Sequence, residues 1–149
     1  MQNFPFMDRA LELARNAAVA GEVPVAAVIT LGGEIIAEAA NTMRADRNAT
    51  AHAELRVIAL ACAALGQERL EGCDLWVTLE PCAMCAGAIS HARIARLYYA
   101  APDPKGGAVD HGPCLFTQPT CHHRPEVYSG IGEGAASAML RDFFAARRG

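Results

Sequence analysis

The sequence has no apolar run that approaches the roughly 18 residues of a membrane-spanning helix. Its amino terminus also lacks a basic segment followed by an apolar stretch, the pattern of a secretory signal. We therefore expect a cytoplasmic protein with no membrane partner, in which the six cysteines stay reduced. In that compartment a C-x-x-C pair more often marks a metal or redox site than a disulfide.

Charged residues are scarce, at 19% of the chain, and the formal net charge is −3. The composition thus gives no global sign of nucleic-acid binding, and a local patch would have to hold any polyanionic partner. Hydrophobic residues make up 52% of the 149 positions, which excludes a disordered chain. This length fits one domain, and no repeat or linker divides it. We predict a single domain over residues 1–149.

Helical and extended hydrophobic patterns alternate along the chain. Helical spacing of apolar residues and a helix-opening proline predict helices at residues 8–20, 51–65, 81–91 and 133–148. Short apolar runs predict strands at residues 25–31, 34–40, 75–79, 94–100 and 127–128. Alternating strands and helices are typical of an α/β layered fold around one mixed sheet. Residues 102–125, rich in glycine and proline, fit no element, and a loop of that length is usually functional.

Two short motifs carry the chemistry. His52 lies two residues before Glu54, and a P-C-x-x-C segment starts at Pro81 and contains Cys82 and Cys85. One imidazole and two thiolates make three zinc ligands, and three protein ligands leave the fourth tetrahedral position to water, as in catalytic sites. Together the motifs match the H-x-E…P-C-x-x-C signature of zinc-dependent nucleobase deaminases. The sequence therefore predicts one zinc ion per subunit, held by His52, Cys82 and Cys85.

The predicted positions of these residues suit their roles. Cys82 and Cys85 are three residues apart and share one helix face, and a place in the first turn stabilises thiolate. Bound zinc lowers the pKa of its water to about 7. Glu54 is predicted to take a proton from that water, deliver it to a ring nitrogen of the base, and assist the departure of ammonia.

Other interpretations of the cysteines fit the sequence less well. A thioredoxin-like redox pair follows the first strand of its fold, whereas residues 82–85 follow the third predicted strand. A structural Cys₄ zinc site needs a second C-x-x-C, and the sequence has none. The group formed by Asp110, His111, Cys114 and residues 121–123 matches no zinc spacing. We predict a loop packed over the active site there.

The chain resembles the bacterial tRNA-specific adenosine deaminases, which convert the wobble adenosine of a tRNA anticodon to inosine. The likeness extends from about residue 7 to residue 148. It rests on EVPV at 22–25, Asn at 41, TAHAE at 50–54, VTLEPCAMCAGA at 77–88, DPK at 103–105 and DFF at 142–144. The whole deaminase superfamily shares the zinc motif, whereas the longer string around the cysteines and the DFF ending are more specific. Residues 108–120 depart from the family pattern.

The resemblance implies a three-layer α/β/α, cytidine deaminase-like fold with a five-stranded mixed sheet. It also implies a homodimer with the active site at the dimer edge and a tRNA anticodon stem-loop as the substrate. The zinc ligands and Glu54 would keep the roles that the motif predicts. Asn41 would contact the flipped base, and Val23 would line the pocket. Further implied contacts with the anticodon loop or its phosphates are Asp103, Lys105, His123, Phe144 and Arg147.

Two other functions stay open. A deaminase of free bases or nucleosides, with guanine as the first candidate, would share the zinc chemistry and need no basic surface. A catalytically silent zinc protein that binds RNA or a partner would have no use for Glu54. Arg141, Arg147 and Arg148 form a local cluster in an otherwise acidic chain, which favours an RNA substrate.

Overall fold

A computed structural model describes residues 4–148, which form a mixed sheet of five strands with helices on both faces. The helices are α1 (Pro5–Val19), α2 (Ala53–Leu65), α3 (Ala83–Ala92) and α4 (Glu133–Arg148). The strands are β1 (Ala26–Leu31), β2 (Glu34–Ala40), β3 (Asp74–Leu79), β4 (Arg96–Ala101) and β5 (Glu126–Ser129). The predicted α/β class is confirmed. None of the helices in this part of the chain is long and apolar enough to cross a membrane.

The sheet order is β2-β1-β3-β4-β5. β1 pairs antiparallel with β2 and β3, whereas β3 with β4 and β4 with β5 are parallel. The β1–β2 hairpin closes at Gly32 and Gly33, whose φ angles of 59° and 81° lie in the left-handed region that a tight hairpin turn requires. Because β3 and β4 are parallel, the segments that follow them emerge at the same edge of the sheet, where α/β folds bind ligands.

Alternate residues of the central strands face two hydrophobic cores. Ala27 and Ile29 of β1 belong to the core that α2 and α3 cover, and Val28 belongs to the core that α1 and α4 cover. Burial of both apolar faces gives the three-layer α/β/α arrangement its stability. The helices that carry the two zinc motifs therefore lie side by side on the same face of the sheet.

Both motif helices begin one residue after a predicted zinc ligand. His52 is the N-cap of α2 and Cys82 is the N-cap of α3, and both have extended backbone, with ψ of 151° and 176°. The sequence pattern predicted that both helices start nearer the amino terminus, α2 at residue 51 and α3 at Pro81. Pro81 instead precedes the cap, because the extended backbone of Cys82 places the first helical residue at Ala83.

An ion pair between Arg9 and Glu38 joins α1 to β2. Arg9 Nε donates to Glu38 Oε2 at 2.9 Å, and Arg9 Nη2 donates to Oε1 at 2.7 Å. These bonds lower the pKa of the Glu38 carboxyl below its ordinary value, against the opposing effect of partial burial. The pair is about one-third exposed on each side.

We expect Glu38→Gln to lower the free energy of unfolding at pH 7 by about 1 kcal/mol or less, since solvent screens a half-exposed pair. A carboxylate whose pKa falls on folding stabilises the protein above its unfolded pKa, and that stabilisation is lost as the pH falls through the folded pKa. Urea unfolding of both proteins at about pH 7 and about pH 3 tests this. A difference that stays the same at acid pH would contradict the assignment.

Candidate active site

The three predicted zinc ligands meet at the N-termini of α2 and α3. His52 Nδ1 lies 3.7 Å from Cys82 Sγ and 3.5 Å from Cys85 Sγ, and the three ligand atoms all lie within 4.8 Å of one another. Two ligands at about 2.0 and 2.3 Å from one zinc ion, at a tetrahedral angle, stand about 3.6 Å apart. The nitrogen–sulfur spacings therefore fit tetrahedral zinc, and the donor set is one that zinc prefers.

Cys82 is prepared as a thiolate. A hydrogen bond from Cys85 Sγ lowers the pKa of the Cys82 thiol to about 5, with help from the N–H groups of Cys85 and Met84 and the field of His52, and against burial. Those N–H groups belong to the first turn of α3, which has no intrahelical acceptors for them. Donation to Cys82, together with burial, raises the pKa of Cys85. The first turn of α3 therefore favours the thiolate form of Cys82, which is the form that binds zinc.

Glu54 lies in the first turn of α2 and is 4% exposed. Burial, with a smaller contribution from the field of Cys82, raises the pKa of its carboxyl to about 7, while hydrogen bonds from its own backbone N–H and from Cys85 and the field of His52 oppose the rise. A carboxyl with a pKa near neutrality takes up and releases a proton readily, as a general acid–base must. Buried carboxyls of this kind cluster at functional sites.

A pocket of about 200 Å³ joins Glu54 to the metal ligands. Sites for drug-sized ligands measure roughly 300–1,000 Å³, so this pocket suits a single flat ring system. Besides Glu54, His52 and Cys82, its lining residues are Val23, Val25, Asn41, Met43, Ala53, Leu79, Glu80, Asp103 and Gly106.

Asn41 and Val23, the two predicted pocket residues, both line this pocket. Asn41 follows β2 and is buried, and its N–H donates to Val25 O at 2.9 Å. Its Oδ1 accepts the N–H of Met43 at 3.2 Å. The Asn41 side chain therefore has its NH₂ group to offer as a donor to a ligand.

The other predicted contacts on loops fall in different places. Asp103 lines the pocket, and its Oδ1 accepts the N–H groups of Lys105 and Gly106. Lys105 is exposed beside it. His123 lies beside the C-terminal end of α3, and its Nε2 is 2.7 Å from Ile94 O. It is not among the residues that line the pocket.

Phe144 and Arg147 lie on α4, and Phe144 is 45% exposed. The Arg147 guanidinium stacks on the neighbouring Phe143, 4.0 Å from the ring centroid, and donates to Gly21 O at 3.0 Å. Arg44 donates to the same carbonyl at 3.1 Å. Two guanidinium groups therefore converge beside the loop that follows β2, and we call them the arginine pair.

Two buried glutamates that hold the pocket loops were not predicted from the sequence. Glu22 accepts the N–H groups of Arg44 and Ala45, and Glu80 accepts several from residues 103–111. Glu22 and Glu80 each stand within a short apolar stretch of the sequence, which was the available signal of a buried charge. A buried charge persists only when hydrogen bonds compensate it.

The histidines and cysteines of the 102–125 loop form no second metal cluster within residues 4–148. His111 Nδ1 lies 2.7 Å from Glu80 Oε1, and Cys121 Sγ contacts Ser90 Oγ at 3.5 Å. These side chains serve internal hydrogen bonds.

Known proteins with this sequence pattern identify the family. The family model of MafB19-like deaminases matches residues 1–148. The chain belongs to this deaminase family. A tRNA-specific adenosine deaminase of Agrobacterium fabrum (strain C58) is 58% identical over 143 residues, which cover 96% of this chain and 94% of the relative. The predicted resemblance to bacterial tRNA-specific adenosine deaminases is thus confirmed.

Solved structures agree with this assignment. A tRNA:A34 deaminase studied for A-to-I editing at the wobble position of transfer RNA matches with a TM-score of 0.90 at 58% identity, covering 91% of this chain and 99% of that chain. Guanine deaminase from Nitrosomonas europaea matches with a TM-score of 0.76 at 28% identity, covering 94% and 83%. These neighbours confirm the predicted cytidine deaminase-like fold, and the chain is an enzyme of the deaminase class.

We expect the purified deaminase to bind one zinc ion per subunit and Cys85→Ser to lose most of it, because hydroxyl is a far poorer zinc ligand than thiolate. Plasma mass spectrometry after dialysis measures the metal. Cys62→Ser is the matched control, since Cys62 lies on the far side of α2 and contacts Glu68 O at 3.7 Å. Equal metal content in all three proteins would rule out this ligand set.

Proposed function

We propose that this chain removes the amino group of the wobble adenosine in a tRNA anticodon loop by zinc-dependent hydrolysis, which yields inosine. One observation carries the proposal. Glu54, whose pKa is about 7, shares a base-sized pocket with Asn41 and with the convergent histidine and cysteines. Relatives at 58% identity are named for this activity, whereas the guanine deaminase is 28% identical.

His52, Cys82 and Cys85 would hold the metal. When bound there, zinc supplies a water whose pKa is lowered to about 7. Glu54 lines the same pocket and its pKa is about 7, so its carboxylate would accept a proton from the attacking water. The same carboxyl would pass that proton to a ring nitrogen as the water oxygen bonds to the carbon that bears the amino group. It would then accept the second proton of that oxygen and donate it to the amino group, so that the carbon–nitrogen bond breaks and ammonia leaves.

The rest of the pocket orients the base. Asn41 donates a hydrogen bond from its side-chain NH₂ to the ring. Val23 and Leu79 form apolar parts of the pocket lining. A base that enters this pocket must leave the stack, and an anticodon loop already presents its bases that way.

We expect Glu54→Gln to keep its zinc and its fold and to lose about 10²–10⁴-fold of its turnover, the range for loss of a general acid–base. Inosine formed from an anticodon stem-loop, measured by liquid chromatography, gives the rate. Glu71→Gln, the same change at an exposed position, should behave as wild type. Activity of the Glu54 variant within a few-fold of wild type would remove the proton shuttle from the mechanism.

Guanine deamination is the second candidate, and the structural similarity to the Nitrosomonas europaea enzyme favours it. Ammonia release from guanine, cytidine and the stem-loop separates the two candidates. Release from guanine without release from the stem-loop would overturn the tRNA proposal. The remaining function that the sequence left open, a catalytically silent zinc protein, does not fit a chain of the deaminase class. The burial of Glu54 in the pocket argues against it.

The arginine pair supports a polyanionic substrate. Arg44 and Arg147 meet at Gly21 O, and within residues 4–148 neither forms an ion pair with a carboxylate. Two unneutralised guanidinium groups beside the pocket loop form the local patch that an acidic chain needs to hold RNA phosphates.

We expect Arg44→Gln with Arg147→Gln to weaken stem-loop binding and to lower the slope of log affinity against log salt by about 1 to 2, which is roughly one unit per phosphate contact. Fluorescence anisotropy over a salt series measures both quantities. Arg69→Gln, at an exposed turn after α2, is the control and should leave the slope unchanged. An unaltered slope in the double variant would exclude the pair from the RNA interface.

We further propose that residues 1–149 work as one catalytic domain and that two copies form a homodimer in the cytoplasm, with one zinc ion each. Leu60 on α2 and Met84 on α3 are 46% and 37% exposed, and a second copy would cover such apolar surface. All six cysteines are unpaired, as a reducing compartment requires. Light scattering in solution should report twice the mass of the chain.

A further inference from the structure

Glu80 is a buried carboxylate between the end of β3 and Pro81. Its side chain has no exposed surface. A buried charge is tolerated only when hydrogen bonds saturate it. Oε1 accepts the N–H of Asp103 at 3.0 Å and contacts His111 Nδ1 at 2.7 Å, and Oε2 accepts the N–H groups of Val109, Asp110 and His111 at 3.1, 2.9 and 3.2 Å.

All of these donors belong to one segment, residues 103–111, and we call it the wall segment. Its residues Asp103 and Gly106 form part of the pocket lining. Gly107 allows the close approach, since a Cβ there would lie 2.5 Å from Glu80 Cδ and 2.6 Å from Asp103 O. One side chain, from a residue that itself lines the pocket, therefore holds the segment that supplies Asp103 and Gly106 to the lining.

The two halves of the wall segment are attached differently. Its second half has anchors of its own, because Ala108 N–H donates to Pro81 O at 2.9 Å and Val109 is buried in the core. The first half is a turn closed on itself, in which Gly107 N–H donates to Asp103 O at 2.8 Å. Glu80 holds the start of that turn through the N–H of Asp103.

We propose that Glu80 is a positioning residue, whose carboxylate places Asp103 and Gly106 where they contact the substrate base and so determines substrate affinity. This role rests on the proposed deaminase function. Glu80 acts through the wall segment, because its own oxygens are occupied and shielded. The zinc ligands and Glu54 lie on α2 and at the start of α3, so the chemical step depends on a different part of the pocket.

Glu80→Gln tests the role with little change in shape. The amide offers one oxygen and turns an NH₂ group toward backbone donors, so part of the segment loses its acceptor. We expect KM for the stem-loop to rise about tenfold or more, while kcat stays within about threefold and zinc content is unchanged, as loss of uniform binding predicts. Hydrogen exchange should speed up across residues 103–111 and stay unchanged in α2 and α3.

Gly107→Ala is a second way to displace the wall segment from Glu80. The added Cβ pushes the wall segment away from Glu80 while the carboxylate remains, so it should raise KM and hydrogen exchange in the same segment. This variant keeps the test decisive if Glu80→Gln folds poorly. Glu126→Gln, the same chemical change at an exposed residue of β5, is the control and should match wild type.

The outcomes separate the two proposals. Wild-type protein that releases no ammonia from the stem-loop overturns the proposed function. Active wild type with unchanged KM and unchanged exchange in both variants overturns the role of Glu80. A parallel loss of kcat and zinc would also overturn it, since Glu80 would then act through Cys82 rather than through the wall segment.

Discussion

The packing of α2 and α3 side by side on one face of the sheet is the constraint on which the active site depends. Each helix contributes its N-terminus, and each N-cap is a proposed zinc ligand, so a rotation of either helix would separate His52 from Cys82. The shared core of α2, α3 and the central strands prevents this. The parallel pairing of β3 with β4 then brings the loops after both strands to the same edge. The pocket results from this helix packing and strand pairing.

Glu54 and Glu80 are both buried at this pocket, and they show how one kind of side chain serves opposite purposes. Burial dominates at Glu54 and raises its pKa to about 7, which suits the role of proton carrier proposed for it. At Glu80 burial is also the largest single influence, but hydrogen bonds from the wall segment and His111 together outweigh it and lower the pKa. The number of donors that reach each carboxylate thus decides whether it exchanges protons or holds structure.

The sequence was most informative where chemistry requires a fixed spacing. His52, Glu54, Cys82 and Cys85 follow from two motifs, and the order of strands and helices follows from hydrophobic periodicity. The wall segment and the arginine pair could not be predicted in this way. Glu80 acts through backbone N–H groups of residues 23 or more positions away, and no residue pattern reports such bonds. Arg44 and Arg147 are brought together only by the folded positions of α4 and the loop after β2.

The choice of substrate depends on the parts of the pocket that the zinc motif does not determine. A tetrahedral zinc ion and a proton carrier can act on any ring that bears an amino group. Discrimination between substrate bases therefore has to come from the loop after β2, the wall segment and α4. The departure of residues 108–120 from the family pattern becomes understandable in these terms. Glu80 binds the main chain of Val109, Asp110 and His111 rather than their side chains, apart from one imidazole. These bonds hold the segment through main-chain N–H groups, which every residue except proline has, so the bonds themselves do not select the residue type at positions 109 and 110.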